Sequence, residues 1–165
     1  MNAVLNSETA PTFMPLRDAP SDELAALLND PRVTRHMPLA QEVDIAWVDT
    51  WKNQKSALWS NPDFGPWAVY LDNKLAGWVG LQPDGDGEVE LAVVLNTWAW
   101  SNGLKIANRA LVRWRQIDPA SPINLYFPTS RPVDLIAERL GLEIIDRAEF
   151  AGHEFVKLRL LRDSL

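Results

Sequence analysis

Apolar residues recur along this chain with two periods, and the switches between them mark its elements. Leu24, Leu27 and Leu28 fall on one face of a helix that Ser21 can cap and that Asn29-Asp30-Pro31 stops. Asp22 and Glu23 suit its first turn, where the helix dipole favours negative charge. Val43, Trp47, Thr50/Trp51 and Leu58 return at helical spacing over 42–58, and Pro31 to Pro38 reads as a loop or short helix. Over Gly103 to Ile117 the stripe is Leu104, Ala107, Leu111 and Trp114, widened by Ile106 and Ala110. Val133, Ile136, Ala137 and Leu140 form the last stripe, with Ser130 placed to cap, Pro132 in the first turn and Gly141 just past the end. The other apolar runs are short, as strands are: 12–17, 67–71, 75–81, 88–95, 123–127, 142–149 and 153–161. Turn residues separate them at Asp72-Asn73-Lys74, Pro83-Asp84-Gly85-Asp86-Gly87 and Ala151-Gly152. Pro11 and Pro15 assign the first strand to a sheet edge.

The predicted order is β, α, α, β, β, β, α, β, α, β, β, an α+β (α/β) pattern. An antiparallel meander leads into one βαβ crossover, which sets strands 88–95 and 123–127 side by side and parallel. The 165 residues fit a single domain over 1–165, with residues 1–10 frayed.

Composition narrows the chemistry. There is no cysteine and there are two isolated histidines, His36 and His153, so neither a disulfide nor a metal site is expected. A net charge of −6 argues against nucleic acid as the main partner and mildly favours a basic acceptor. The first residues lack the basic segment and apolar core of a signal peptide, and no run is long enough to span a membrane. A cytoplasmic location is the expectation. The eight tryptophans mostly suit packing.

One junction carries more information than the rest. In Glu90 to Leu111 an apolar strand ends in two tryptophans, a short polar turn Ser101-Asn102-Gly103 follows, and a helix starts with Lys105 just inside it. Unsatisfied N–H groups in such a turn, together with the helix dipole, form a seat for a diphosphate, and Gly103 permits close backbone approach.

The stretch Glu90-Leu91-Ala92-Val93-Val94-Leu95-Asn96-Thr97-Trp98-Ala99-Trp100-Ser101-Asn102-Gly103-Leu104-Lys105 resembles the central motif of GNAT-type N-acetyltransferases. The resemblance is to the branch that acetylates ribosomal-protein N-termini and small amines, roughly E-[IL]-G-Y-x-L-x-P-x-x-W-G-x-G-x-A. Glu90, Leu95, Trp100 and Gly103 match in register. Leu16-Arg17-Asp18-Ala19, the run Leu27 to Arg35, and Ala137-Glu138-Arg139-Leu140-Gly141-Leu142 also resemble that branch. The resemblance extends over residues 12 to 161.

It implies a GNAT-like fold: a mixed, mostly antiparallel twisted sheet with one parallel pair and helices on both faces. It also implies acetyl-CoA as co-substrate and no metal. The acceptor would be a small-molecule amine or a peptide N-terminus. The backbone of Val93, Val94 and Leu95 would meet the pantetheine amides, and Ser101, Asn102, Gly103, Leu104 and Lys105 would hold the phosphates. Arg109 and Arg113 extend a basic strip from Lys105, or simply a solvated face. Glu90 would take the proton of the attacking amine; the alternative is that Glu88 and Glu90 form a solvated strand face.

The departures matter too. Lys105 replaces a small residue, and Val133 and Ala137 stand where the family often has Ser and Tyr. Ser130 keeps a hydroxyl that would serve catalysis or cap the helix, and Tyr126 is the nearest phenol. Trp47, Trp51 and Trp59 would wall the acceptor site, while His36 lines that site or covers a loop. These departures leave a second reading open: a catalytically degenerate relative acting as a ligand-binding or protein-interaction module. The aromatic-rich strands and C-terminal hairpin suit a homodimer, and neither a nucleic-acid nor a membrane partner is expected.

Overall fold

A computed structural model of the protein describes residues 10–38, 40–84 and 87–161. Most of the frayed start and the middle of the 83–87 turn fall outside the described residues. Seven strands form one sheet in the order β1-β2-β3-β4-β5-β7-β6, from β1 (Thr12–Pro15), β2 (Trp67–Leu71), β3 (Lys74–Asp84), β4 (Glu88–Leu95), β5 (Ile123–Pro128), β6 (Leu142–Phe150) and β7 (His153–Leu160). Every neighbouring pair is antiparallel except β4 with β5. The proline-flanked first strand is indeed an edge. The β2–β3 hairpin turns through Asp72 and Asn73 at φ 51° and 60°, the left-handed region that a twisted two-residue hairpin needs.

Helices cover both faces. α1 (Ser21–Asn29), α2 (Pro31–Thr34) and α3 (Ile45–Ser56) pack Leu24, Leu27, Val33 and Val48 against Ala68, Leu75 and Trp78. α4 (Gly103–Ile117) and α5 (Val133–Leu140) pack Ile106, Ala110, Trp114, Val133 and Ala137 against Val69, Val79, Leu91 and Leu158. No helix among the described residues is long and apolar enough to cross a membrane.

Several local expectations need correction. Ser21 does not cap α1; it occupies the first helical position and its hydroxyl donates to Asp49 on α3. α3 is shorter than 42–58, because Asp44 caps it by accepting the Trp47 N–H at 2.7 Å. Its core residue is Val48, while Trp47 and Leu58 are exposed, so the stripe turns by part of a helical turn. α4 shifts in the same sense: Ile106, Ala110, Leu111 and Trp114 are buried, and Leu104 is 53% exposed. Ser130 is exposed and makes no cap bond to α5, whose N-terminal flank is Pro132; the fixed ring of proline starts the helix without a side-chain acceptor. At the other end Gly141 takes the left-handed conformation, φ 64°, that closes a helix.

Gly77 requires its residue type. At φ 155° an added Cβ would sit 2.1 Å from the Val94 carbonyl oxygen and 2.8 Å from the Leu95 Cα. Its absence lets β3 press against the end of β4, where the sheet opens.

Candidate active site

The opening comes from a short parallel ladder. β4 and β5 pair only at Val89↔Ile123 and Glu90↔Asn124, although β4 runs five residues further. The Val89 N–H bonds to Pro122 O, so odd-numbered residues of β4 turn their main chain toward β5, and even-numbered ones toward β3. Val93 therefore presents its N–H and C=O to the gap, with no ladder partner there among the described residues. Leu95 turns the same way, and its carbonyl accepts the Trp100 indole N–H at 3.0 Å. Val94 directs its main chain to β3, opposite Trp78, packs against the core on the α3 face, and lines the cleft from there.

Between the splayed strands lies a cleft of about 870 Å³. Ala107, Leu125 and Leu140 give it apolar walls on the α4–α5 side; Trp47, Trp51 and Trp78 wall the α3 side. Trp47 stacks on Trp51 at 6.0 Å, and Trp51 meets Trp78 edge-on at 5.4 Å. Trp59 is elsewhere. It packs between Phe64 and Trp114 in the core and donates its indole N–H to Leu81 O.

Glu90 lies in this cleft and not on a solvated strand face. Its Oε2 accepts from Gln82 Nε2 at 2.9 Å, and Gln82 Oε1 accepts from Lys55 Nζ at 2.6 Å. The amide holds the ammonium one residue away from the carboxylate. Burial pushes the Glu90 pKa above its ordinary value, helped by the Asp84 charge and opposed by the Gln82 hydrogen bond and by Lys55. Burial likewise lowers the pKa of Lys55. A carboxylate raised in this way holds its proton closer to neutral pH, which is what a general base requires.

Glu88 belongs to a second cluster, beneath the cleft. It accepts from Asn124 Nδ2 and, at 2.6 Å, from Arg159, with Lys157 at 3.3 Å. Lys157 also meets Asp84 at 3.3 Å, and the Tyr126 hydroxyl donates to Asp84 at 2.9 Å. Asn124 is completely buried. These partners outweigh burial and hold Asp84 below the usual carboxylate range; hydrogen bonding, from Asn124 first, does the same for Glu88. Tyr126 lines the cleft, and burial followed by the Asp84 contact raises its phenol pKa.

The junction after β4 differs from the tight turn that the sequence suggests. Thr97–Asn102 forms a 3₁₀ helix that runs directly into α4, and the Gly103 N–H bonds to Trp100 O. Gly103 has ordinary helical angles, and an added Cβ would meet only Leu95 Cδ1, at 3.7 Å. Gly103 and Leu104 line the cleft; Ser101 and Lys105 are exposed, and with Asn102 they stand outside its lining. Trp100, half exposed, edges the cleft without filling it, and Trp98 lies under Lys74, 4.7 Å from its ring. Arg109 and Arg113 cover the Phe13 and Trp67 rings. Ser130 has no place in the cleft lining.

The fold has counterparts among known proteins. Residues 12–117 match the family model described as the acetyltransferase (GNAT) domain. The chain belongs to the GNAT acetyltransferase family. No curated protein matches it in sequence. Among solved structures, the chain is similar to the spermidine N-acetyltransferase of Vibrio cholerae in complex with CoA and spermine, at 15% identity and TM-score 0.74, covering 94% of this chain and 97% of that one. A probable GNAT acetyltransferase from Chromobacterium violaceum ATCC 12472 shares 16% identity at TM-score 0.71, covering 94% and 89%. An aminoglycoside acetyltransferase in complex with coenzyme A shares 17% at TM-score 0.68, covering 94% and 96%. These likenesses establish the GNAT fold.

Three GNAT cleft residues escaped the sequence reading. Gln82 falls just past the strand expected over 75–81, Lys55 within the helix expected over 42–58, and Arg131 at the start of the last expected helix, with no chemistry assigned to them. Of the two roles open to His36, lining the acceptor site or covering a loop, the structure has it facing the cleft. No local signal marks Lys55, Gln82 or Arg131, because each matters through a partner distant in sequence.

Proposed function

We propose that this GNAT domain transfers an acetyl group from acetyl-CoA to a primary amine by direct attack. The observation that carries the reading is the splay of β4 from β5 after Glu90↔Asn124, which opens the cleft beside the partly buried Glu90 carboxylate. The cleft suits a pantetheine arm: Val93 offers a main-chain donor and acceptor as an added strand would use them, and the walls are apolar. Gly103 and Leu104, at the start of α4, are the nearest seat for the phosphates. Acetyl-CoA supplies an acetyl group activated as a thioester.

Glu90 takes the proton as the amine nitrogen forms its bond to the acetyl carbon and the carbon–sulfur bond breaks. Gln82 positions the Glu90 carboxylate. The Val93 N–H polarises the acetyl carbonyl. Spermine bound in one structural neighbour, the spermidine N-acetyltransferase of Vibrio cholerae, supports an amine acceptor.

Isothermal titration with acetyl-CoA, followed by a thiol-release assay over a panel of amines, tests this. Binding and turnover are expected. A protein that takes up no acetyl-CoA at millimolar concentration would defeat the reading.

A further inference from the structure

Among the described residues, the charged side chains lining the cleft are Lys55, Glu90 and Arg131, two cations to one anion, in a chain of net charge −6. Lys55 is engaged with Gln82. Arg131, in the loop between β5 and α5, is partly buried, with its guanidinium 5.7 Å from the centre of the Phe127 ring. Burial alone displaces its pKa, downward, and among the described residues no carboxylate pairs with it to offset that cost. His36 is close enough for the Arg131 charge to act on it: burial, then Arg131, then Arg35 hold its imidazole below the ordinary value, so it is neutral at pH 7. Its Nδ1 is buried without a hydrogen-bond partner.

A partly buried guanidinium that lines the cleft without a counterion among the described residues, near an uncharged imidazole, is an arrangement that a planar anion completes. The Trp47–Trp51 stack in the same cleft suits a flat apolar body. Resting on the transferase reading, we infer that the acceptor is a primary amine carrying a carboxylate on an apolar or aromatic body. Arg131 holds the carboxylate, beside the uncharged His36 ring, and the stacked tryptophans hold the body. A polyamine would meet two like charges here and find Glu90 as its sole counter-charge in the lining. The acidic surface, which by itself suggests a basic acceptor, does not extend into the cleft.

The test is a calorimetric and tryptophan-fluorescence titration of the protein, with and without coenzyme A, using L-phenylalanine, L-phenylalaninamide, phenethylamine and spermidine. L-Phenylalanine is expected to bind about ten-fold or more tightly than its amide, as a charge-assisted pair implies. Arg131→Gln is expected to abolish that preference, and Arg131→Lys to keep part of it. Coenzyme A affinity should be the same in all three proteins, and circular dichroism melts check their folding. The wild-type comparison of acid with amide stands whatever the variants do.

Equal or tighter binding of the amide, no binding of the acid at 10 mM (roughly ten-fold above millimolar affinity), or tightest binding of spermidine overturns the inference. So does an Arg131→Gln protein that loses coenzyme A affinity while keeping the acid preference, since Arg131 would then serve the cofactor. Carboxylate preference without any coenzyme A binding would remove the transferase reading alone. Coenzyme A binding and thiol release without that preference would remove this inference alone.

Discussion

Replacing Glu90 by glutamine should make the protein inactive and, at neutral pH, more stable. The carboxylate is partly buried, its nearest hydrogen-bond partner is a neutral amide, and Lys55 is held on the far side of that amide. Its pKa in the fold therefore lies above the ordinary 4.5. A carboxyl raised on folding binds its proton more tightly in the native state, so stability falls as pH climbs from the unfolded value through the folded one. Below pH 4.5 both states are protonated and the charge contributes nothing. Above the folded value the full cost is present, about 1.4 kcal/mol for each pH unit by which the pKa is raised. In Glu90→Gln the new side chain keeps the shape and the bond to Gln82 but carries no charge.

The stability difference between variant and wild type should grow from zero near pH 4 to a plateau by neutral pH. A plateau of about 1 kcal/mol would appear as a melting-point gain of about 2–4 °C. Thermal melts of both proteins from pH 4 to 8 measure it. Thiol release should fall by about 10²–10⁴-fold, the usual contribution of a general base. A variant that melts lower than wild type at pH 7 would show that the carboxylate is better paired than its surroundings imply. A variant of unchanged rate would remove Glu90 from the chemistry.

Three further outcomes follow from the same geometry. Lys55→Met removes a cation that lowers the Glu90 pKa, so the acidic limb of the rate–pH profile should move to higher pH; a shift to lower pH would refute the arrangement. Gly77→Ala forces a Cβ to within 2.1 Å of the Val94 carbonyl oxygen at a left-handed backbone position, and should cost about 3 kcal/mol in urea unfolding. Asn124→Leu deprives Asp84 and Glu88 of a buried donor and Arg159 of an acceptor, and should cost roughly 1–3 kcal/mol by the same measurement. A neutral result there would mean that Lys157 and Arg159 suffice to hold the cluster.

The number, type and order of the main elements were legible in the sequence, because periodicity and turn chemistry act over a few residues. The hairpin at Asp72-Asn73 and the helix stop at Gly141 are of this kind, and each needs only its own backbone angles. The motif from Glu90 to Gly103 carried the family through the order of its residues along one strand and one helix start. Helix phase was only partly legible: α3 and α4 have apolar residues over more than half their circumference, and packing against the sheet buried Val48, which the expected stripe lacked, and left out Leu104, which it included. Nor was the 3₁₀ helix after Asn96, whose bonds depend on how the chain leaves the sheet. The surroundings of Glu90 were decided by tertiary structure alone. Lys55, Gln82 and Glu90 come from a helix and two strands, and His36 and Arg131 reach the cleft from segments far apart in the chain. A charge's pKa and pairing depend on distances of a few ångströms between residues tens of positions apart, and only the folded sheet sets those distances.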